Sequence, residues 1–329
     1  MKPNIVIVAT GGTIAGAGDS GTRAGYASGQ LGVEQLLEAV PQLSELAEVR
    51  GEQLMSLGSQ DMDGASWLKL AQCVAALQDA PDVDGIVITH GTDTIEETAY
   101  FLNLVIQGSK TVVMTAAMRP ATALSADGPL NIFNAVAVAA DPASADRGVL
   151  VVINDNIHGA RGMTKSSTTD VQTFVSPGRG LMGETHYGQN RYFRQPYKRH
   201  TRESEFSVAG LDTLPRVDVV FVSAGASPDL LDDAVARGAR GLVLAGVGNG
   251  NMTTAMLGAV ERAVQQGVVV VRSTRVSTGV VGRNIEIDDD ALGTVASGEL
   301  NPAQARVLLK LVLCKTSDPA QVQHYFDHY

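Results

Sequence analysis

The chain has little of several things that mark common classes of protein. Its 329 residues include only two cysteines, Cys73 and Cys314, too few for a disulfide framework or a cysteine-rich metal site. No apolar run approaches the roughly 18 residues that a membrane-spanning helix needs. Lys and Arg number 25 against 35 Asp and Glu, which leaves a net charge of −10. Because DNA, RNA and anionic lipid all attract a basic surface, this balance argues against such partners.

What the sequence does have is enough apolar material for a core, arranged in a regular alternation. Hydrophobic residues make up 44% of the chain, and at about 150 residues per domain the length suggests two domains. Continuous apolar runs, typical of strands buried on both faces of a parallel sheet, lie at 4–9, 85–89, 110–115 and 148–153. Helical patterns separate these runs, and one of them, 94–106, opens with Glu96 and Glu97 in its first turn. The alternation predicts an α/β fold with a larger N-terminal doubly wound sheet domain and a smaller C-terminal α/β domain that is Rossmann-like.

A polar stretch from 188 to about 215 interrupts the alternation and marks the domain boundary. We predict an N-terminal catalytic domain over 1–193, a linker over 194–215 and a smaller domain over 216–329. Within the smaller domain, strands and helices are expected at 217–222, 230–237, 241–245, 253–265 and 268–272. Two further helices begin at Asn301-Pro302 and Asp318-Pro319, each a capping residue followed by proline. The first residues lead straight into a strand pattern, which predicts a cytoplasmic protein as the chain stands, or a periplasmic one if a leader has been removed.

The loops that follow the strands are where a ligand is expected, since open parallel sheets bind ligands beyond their carboxyl ends. The first such loop carries Thr13 and continues through a glycine-rich stretch with Tyr26. Later loops carry Ser59 and Gln60, then Thr92 and Asp93, and finally Lys165. The segments that follow the strands are 10–29, 58–61, 90–94 and 154–167. Their hydroxyls, amide, carboxylate and ammonium suit binding a small zwitterion and attacking a carbonyl. Taken singly, each residue also has a simpler interpretation, as a helix cap or an exposed polar side chain.

Three sharper motifs fail in their context. The pattern G-x-G-x-x-G occurs at 16–21 but begins several residues beyond the strand, and no acidic residue closes a second strand about 20 positions on. The letters GDSG at 18–21 resemble a serine-protease nucleophile loop, yet the surrounding pattern is α/β. His324 and His328 are four residues apart with no third ligand nearby. No dinucleotide, serine-protease or metal site is therefore predicted.

The strand-end motifs together resemble a known family. TGGTIAG at 10–16 and HGTDT at 90–94 are similar to the two signatures of bacterial-type L-asparaginases. Further similar segments follow in the same order: GSQDM at 58–62, TKSSTTDVQTF at 164–174, GVGNGN at 246–251 and NPAQARVLL at 301–309. The resemblance covers essentially the whole chain and is closest to the periplasmic-type (type II) branch.

The resemblance implies hydrolysis of the side-chain amide of L-asparagine to L-aspartate and ammonia, with minor L-glutaminase activity and without a metal or organic cofactor. Thr13 matches the nucleophile and Tyr26 the residue of a lid loop that activates it. Thr92, Asp93 and Lys165 match a second catalytic cluster. A threonine hydroxyl needs such activation because it is a poor nucleophile at neutral pH. Whether Thr13 alone forms an acyl-enzyme or Thr92 activates water in a direct displacement stays open at this point.

The resemblance also assigns residues to substrate binding and assembly. Gly58, Ser59, Gln60 and Asp93 match the groups that hold the α-carboxylate and α-ammonium of the substrate. Asn251 and Glu286 match residues that the smaller domain of a neighbouring subunit lends to the site, which implies a homotetramer, a dimer of dimers with shared active sites.

Two other functions account for part of the same pattern. One is a binding protein whose two α/β lobes close on an amino acid. The other is an amidotransferase subunit acting on misacylated tRNA, which would be expected to carry an extra N-terminal region and a basic surface.

Overall fold

The computed structural model describes residues 2–18 and 27–329, so Tyr26 and the rest of the 19–26 part of the expected lid lie outside the described residues. The chain divides into two compact units, Met1–Gly210 and Leu211–Tyr329. Both units are α/β, and the first is the larger, which confirms the predicted fold class.

The first unit is built on one eight-stranded sheet with a two-stranded ribbon beside it. Its strands are β1 (Asn4–Gly11), β2 (Glu48–Leu57), β3 (Gly85–Thr89), β4 (Thr111–Thr115), β5 (Leu150–Ile153), β6 (Asn156–Gly159), β7 (Thr164–Lys165), β8 (Phe174–Val175), β9 (Gly183–His186) and β10 (Gln189–Tyr192). Its helices are α1 (Val33–Glu38), α2 (Leu43–Leu46), α3 (Gly64–Asp79), α4 (Ile95–Val105) and α5 (Gly128–Ala140). The order of strands in the large sheet is β10-β9-β6-β5-β4-β3-β1-β2, and β7 pairs with β8.

The strand order places a topological switch point beside β1. Strands β2, β1, β3, β4 and β5 are parallel, and the chain runs from β1 outward to β2 and then back to β3 on the other side of β1. In doubly wound sheets of this order, ligands bind beyond the carboxyl ends of the strands where the direction of winding reverses. The fold therefore directs attention to the loops after β1 and β3.

The other edge of this sheet is antiparallel, a feature that the sequence patterns do not predict. Strands β5, β6, β9 and β10 pair antiparallel, so the sheet is mixed. Strands β6, β9 and β10 are only four residues long, and β9 alternates between buried and exposed side chains. Short polar strands carry a weak hydrophobic signal, which is why these were missed.

The core of the first unit explains why β1 reads as a continuous apolar run. Ile5, Ile7 and Ala9 belong to a buried cluster that includes residues of α5 such as Ile132. Val6, on the opposite face of the strand, is equally buried. Both faces of β1 are covered, as expected for an interior strand of an α/β sheet.

The second unit has four parallel strands in the order β11-β12-β13-β14. These are β11 (Val217–Phe221), β12 (Gly241–Gly246), β13 (Val269–Thr274) and β14 (Val295–Ala296). Its helices are α6 (Asp229–Ala236), α7 (Thr254–Gln265), α8 (Asp289–Leu292), α9 (Pro302–Val312) and α10 (Pro319–His328). Asn301 and Asp318 cap α9 and α10 through side-chain oxygens that accept backbone N–H groups, as predicted.

Part of the predicted linker packs within the first unit. Phe206 is buried, and the side-chain amide of Gln107 donates to the carbonyls of Ser204 and Phe206. The limits of the linker, 194–215, stay a prediction. None of the described helices is long and apolar enough to cross a membrane.

Candidate active site

The loops after β1 and β3 touch backbone to backbone, and glycine makes that contact possible. Gly12 has a positive φ of 82°, and a Cβ added to it would lie 2.4 Å from the amide nitrogen of Gly91. Thr13 and Thr92 are the residues that follow these two glycines. Both are nearly buried, with 6% and 5% of their surface exposed. The contact therefore brings the two threonine-bearing backbones together at the switch point.

The loop after β2 joins the same group. A Cβ on Gly91 would lie 2.6 Å from Ser59 Oγ, so that Ser59 packs against the glycine directly. Ser59 Oγ accepts a hydrogen bond from the backbone N–H of Asp93 at 3.1 Å, and its carbonyl accepts one from Thr94 Oγ1 at 2.7 Å. Gln60 stands next in the short 3₁₀ turn Ser59–Asp61. Three consecutive parallel strands thus deliver Thr13, Ser59 and Thr92 to one edge of the sheet.

Lys165 completes the cluster from the small ribbon. Its Nζ donates to Thr92 Oγ1 at 3.0 Å and to Asp93 Oδ1 at 2.6 Å. The side chain of Lys165 is 19% exposed and that of Asp93 is 59% exposed. Lys165 lies 73 and 72 residues beyond Thr92 and Asp93 in the sequence, yet it is joined to both by direct hydrogen bonds. The Asp93 carboxylate stays accessible from solvent.

Glu96 is a residue of this site that sequence reasoning missed. Its carboxylate accepts the backbone N–H of Lys165 at 3.0 Å, so it ties the ribbon to the first turn of α4. The helix pattern predicted Glu96 only as a first-turn carboxylate. No sequence signal links it to Lys165, because the contact is made by chain that returns about 70 residues later.

His90, which directly follows β3, is uncharged in this setting. Burial lowers its pKa to about 4, and its Nδ1–H donates to the carbonyl of Gly91 at 2.8 Å. Its Nε2 is buried and has no hydrogen-bond partner among the described residues. At neutral pH His90 therefore packs beneath the loop as a neutral group.

Two predicted site residues are placed together in the second unit. Asn251 lies in the loop after β12, where it exchanges backbone hydrogen bonds with Val247. Glu286 lies in the loop before α8 with a positive φ of 62°. The side-chain amide of Asn251 donates to the Glu286 carboxylate. The pairing shows that residues 35 positions apart form one polar group in this unit.

Tyr26 lies outside the described residues, and its predicted action on Thr13 stays a prediction. Ala17 and Ala27, on either side of 19–26, exchange two backbone hydrogen bonds of 3.1 and 3.0 Å.

Gly58 caps the 3₁₀ turn that carries Ser59 and Gln60. Among the residues that the structure describes, no group of three His, Cys, Asp or Glu side chains is arranged to hold a metal ion.

Comparison with known proteins agrees with the motifs over the whole chain. Residues 4–198 match the family described as Asparaginase, N-terminal, and residues 216–326 match the Glutaminase/Asparaginase C-terminal domain. The chain is 51% identical over 327 residues to the probable periplasmic L-asparaginase of Haemophilus influenzae and to L-asparaginase 2 of Escherichia coli, with 99% of this chain and 93% of each relative covered. It is also 44% identical over 328 residues to the glutaminase-asparaginase of Pseudomonas fluorescens, covering 99% of this chain and 90% of that protein. The chain belongs to the asparaginase family.

Proposed function

We propose that the protein is an L-asparaginase, an amidohydrolase that converts L-asparagine to L-aspartate and ammonia, with minor activity on L-glutamine. The observation that carries the proposal is the hydrogen-bonded cluster of Thr92, Asp93 and Lys165 beside the Thr13 loop. Relatives named L-asparaginase at 51% identity support the main reaction. The relative named glutaminase-asparaginase supports the minor one. Of the two compartments that the sequence allows, the name of the Haemophilus relative favours the periplasm.

In the proposed reaction Thr13 is the nucleophile. Its hydroxyl oxygen attacks the side-chain carbonyl carbon of asparagine, while the Tyr26 hydroxyl accepts the Thr13 proton and gives up its own, which supplies the proton for the leaving nitrogen. The carbon–nitrogen bond then breaks, a proton passes to the leaving nitrogen, and ammonia departs. Water hydrolyses the resulting ester, which releases aspartate and restores the hydroxyl. In a direct displacement, Thr92 would activate a water molecule that attacks the same carbonyl carbon, and no ester would form on Thr13.

Lys165 is proposed to move protons at Thr92. Its Nζ lies 3.0 Å from Thr92 Oγ1, within the reach that proton transfer requires. The backbone N–H of Thr92, close to the start of α4, is a suitable donor to the oxyanion that develops on the carbonyl. A donor of this kind typically contributes about a hundredfold to a thousandfold in rate.

The substrate's own charges explain the remaining residues. Gly58, Ser59 and Gln60 are proposed to hold the α-carboxylate, and the accessible carboxylate of Asp93 is proposed to hold the α-ammonium. Because a desolvated ammonium is costly to bury beside a single carboxylate, a second acidic group is needed.

We propose that Glu286, with Asn251, supplies that second group to a neighbouring subunit. The active assembly is then a homotetramer, a dimer of dimers with closed symmetry. Mixing tests this directly, since Thr13→Ala and Glu286→Ala chains should each be nearly inactive yet regain activity when co-assembled. Shared sites would then receive both wild-type residues. A mixture that stays inactive after proven subunit exchange, or a fully active monomer, would rule the shared site out.

The activity itself is tested by ammonia release from L-asparagine, L-glutamine and D-asparagine. We expect L-asparagine to be hydrolysed fastest and the Thr13→Ala variant to release almost no ammonia. If the wild-type protein binds L-asparagine by calorimetry but releases no ammonia, it is a binding protein. An ester trapped on Thr13 would distinguish nucleophilic attack from direct displacement.

A further inference from the structure

The second unit contains a charge pair that no solvent reaches. Arg272 lies in the middle of β13 among apolar neighbours, and its side chain and that of Asp289 are both 0% exposed. The guanidinium donates twice to the carboxylate, from Nε to Oδ1 and from Nη2 to Oδ2, each at 2.6 Å. A planar fork that matches a carboxylate in this way is specific to arginine.

The remaining N–H groups of Arg272 reach two separate loops. Nη1 donates to the carbonyls of Asn249 at 3.1 Å and Gly250 at 3.4 Å. Nη2 also donates to the carbonyl of Gly282 at 3.1 Å. One guanidinium therefore connects the loop that ends at Asn251 with the loop that leads to Glu286.

Asp289 holds the second of these loops from its other side. Its carboxylate accepts the backbone N–H of Asn284 at 2.8 Å and the hydroxyl of Thr294 at 2.6 Å. Burial by itself would raise the pKa of Asp289, but the hydrogen bonds from Arg272, Thr294 and Asn284 lower it below its ordinary value. The carboxylate is thus kept ionised while it braces the loop.

The loop that leads to Glu286 has a backbone conformation that needs such bracing. Asn284 and Glu286 have positive φ values of 55° and 62°, which non-glycine residues adopt only where their surroundings hold them. A further link joins the two loops directly, because Asn249 Oδ1 accepts the backbone N–H of Gly282 at 2.9 Å. Asn251 follows immediately after the braced Gly250.

We propose that Arg272 and Asp289 are positioning residues that pre-form the Asn251–Glu286 pair, and so determine how tightly the site grips the α-ammonium of its amino-acid substrate. This inference rests on the proposed role of Asn251 and Glu286 in substrate binding. Arg272 acts only through the two loops, since its five N–H groups are all used within this unit.

The test is the steady-state kinetics of Arg272→Lys with L-asparagine. Lysine keeps the positive charge but cannot span both loops and the carboxylate. We expect KM to rise about tenfold or more, with a smaller change in kcat. The matched control is Val260→Ala, a fully buried residue of α7, which should lower the melting temperature and leave KM unchanged. An unchanged KM in folded Arg272→Lys, or an equal rise in Val260→Ala, would overturn the inference.

A double-mutant cycle with Glu286→Ala separates this inference from the proposed function. If Arg272 acts through Glu286, the two changes should be clearly less than additive in kcat/KM, whereas additive effects would contradict positioning. If Glu286→Ala alone has a normal KM, the proposed role of Glu286 is wrong, and the positioning role falls with it. A raised KM in Glu286→Ala beside a normal KM in Arg272→Lys overturns only the positioning role.

Asn249→Ala covers the case in which Arg272→Lys does not fold. It removes the link to Gly282 from a half-buried surface position. We expect a smaller rise in KM in the same direction, and an unchanged KM would also count against the inference.

Discussion

The two units each contain a cation–carboxylate pair with an N–O distance of 2.6 Å, but the two pairs differ in how far solvent reaches them. Lys165–Asp93 in the first unit is 19% and 59% exposed, whereas Arg272–Asp289 in the second is 0% exposed on both sides. The open pair leaves its carboxylate available to a ligand. The remaining hydrogen bonds of the enclosed pair go to backbone groups of the two neighbouring loops. The same pairing therefore leaves polar groups accessible in the first unit and holds two loops together in the second.

The physical reason lies in desolvation. An exposed ion pair gains little because water already solvates both charges, and it typically contributes about 0–1 kcal/mol to stability. Removing one partner of a buried pair leaves the other charge buried without a partner, which lowers the free energy of unfolding by about 3–5 kcal/mol. Breaking the open pair should therefore affect activity, and breaking the enclosed pair should affect the free energy of unfolding.

The largest effect is expected at the open pair. Lys165→Met should lower kcat by about 10²–10⁴-fold, because it removes the group proposed to move protons at Thr92. The melting temperature should change little, since the pair is partly exposed. Ammonia assays and calorimetry measure both, and Lys69→Met, which changes an exposed lysine of the same unit, is the control. Turnover close to normal would show that Lys165 does not take part in proton transfer at Thr92.

The next effect is expected at the enclosed pair. Arg272→Met should lower the free energy of unfolding by about 3–5 kcal/mol. Combining it with Asp289→Leu should cost less than Arg272→Met alone, because no buried carboxylate is then left without a partner. Denaturant unfolding measures these changes, with Asp93→Asn as the matching change at the open pair. The comparison between the units breaks down if Asp93→Asn is as destabilising as Arg272→Met.

Acid should affect the two units differently. Burial lowers the pKa of both His90 and His158 in the first unit from 6.5 to about 4. Between those pH values the unfolded chain binds protons that the folded chain does not. The contribution of the two neutral histidines to the stability of the fold is therefore complete above about pH 6.5 and is lost as the pH falls towards 4. Each histidine contributes up to about 3 kcal/mol on this scale. The first unit should therefore open before the second near pH 4–5.

Hydrogen exchange resolved by unit measures that order of opening. His158→Gln should make the stability of the first unit less dependent on pH, because the glutamine cannot take up a proton. His324→Gln, which changes an exposed imidazole on α10, is the control. Simultaneous acid unfolding of both units with an unchanged profile in His158→Gln would contradict the expectation.

The smallest effect is expected at an exposed pair outside both sites. Arg50 Nη1 lies 3.1 Å from Asp82 Oδ2, and the two side chains are 44% and 66% exposed. Arg50→Gln should change the free energy of unfolding by no more than about 0.5 kcal/mol and leave ammonia release unaltered. A loss comparable to that of Arg272→Met would show that exposure does not govern the strength of these pairs.

Much of the fold was predictable from the sequence because its signals are local. The apolar run at 85–89 coincides with β3, and the caps Asn301 and Asp318 stand where α9 and α10 begin. Burial on both faces of a strand and satisfaction of a helix N-terminus each depend on neighbours in the sequence. The motifs after β1, β2 and β3 likewise predicted which loops carry the site, since parallel strands share their carboxyl edge.

What the sequence by itself determined is therefore the α/β class, the strand-end loops and the chemical types available in them. Only the tertiary structure decided that Glu96 holds the backbone of Lys165, that Arg272 braces the loops of Asn251 and Glu286, and that β6, β9 and β10 form an antiparallel edge. These features join residues far apart along the chain and carry no periodic signal of their own. Their charges and hydrogen-bonding groups have a defined role only once folding has removed water and selected their partners.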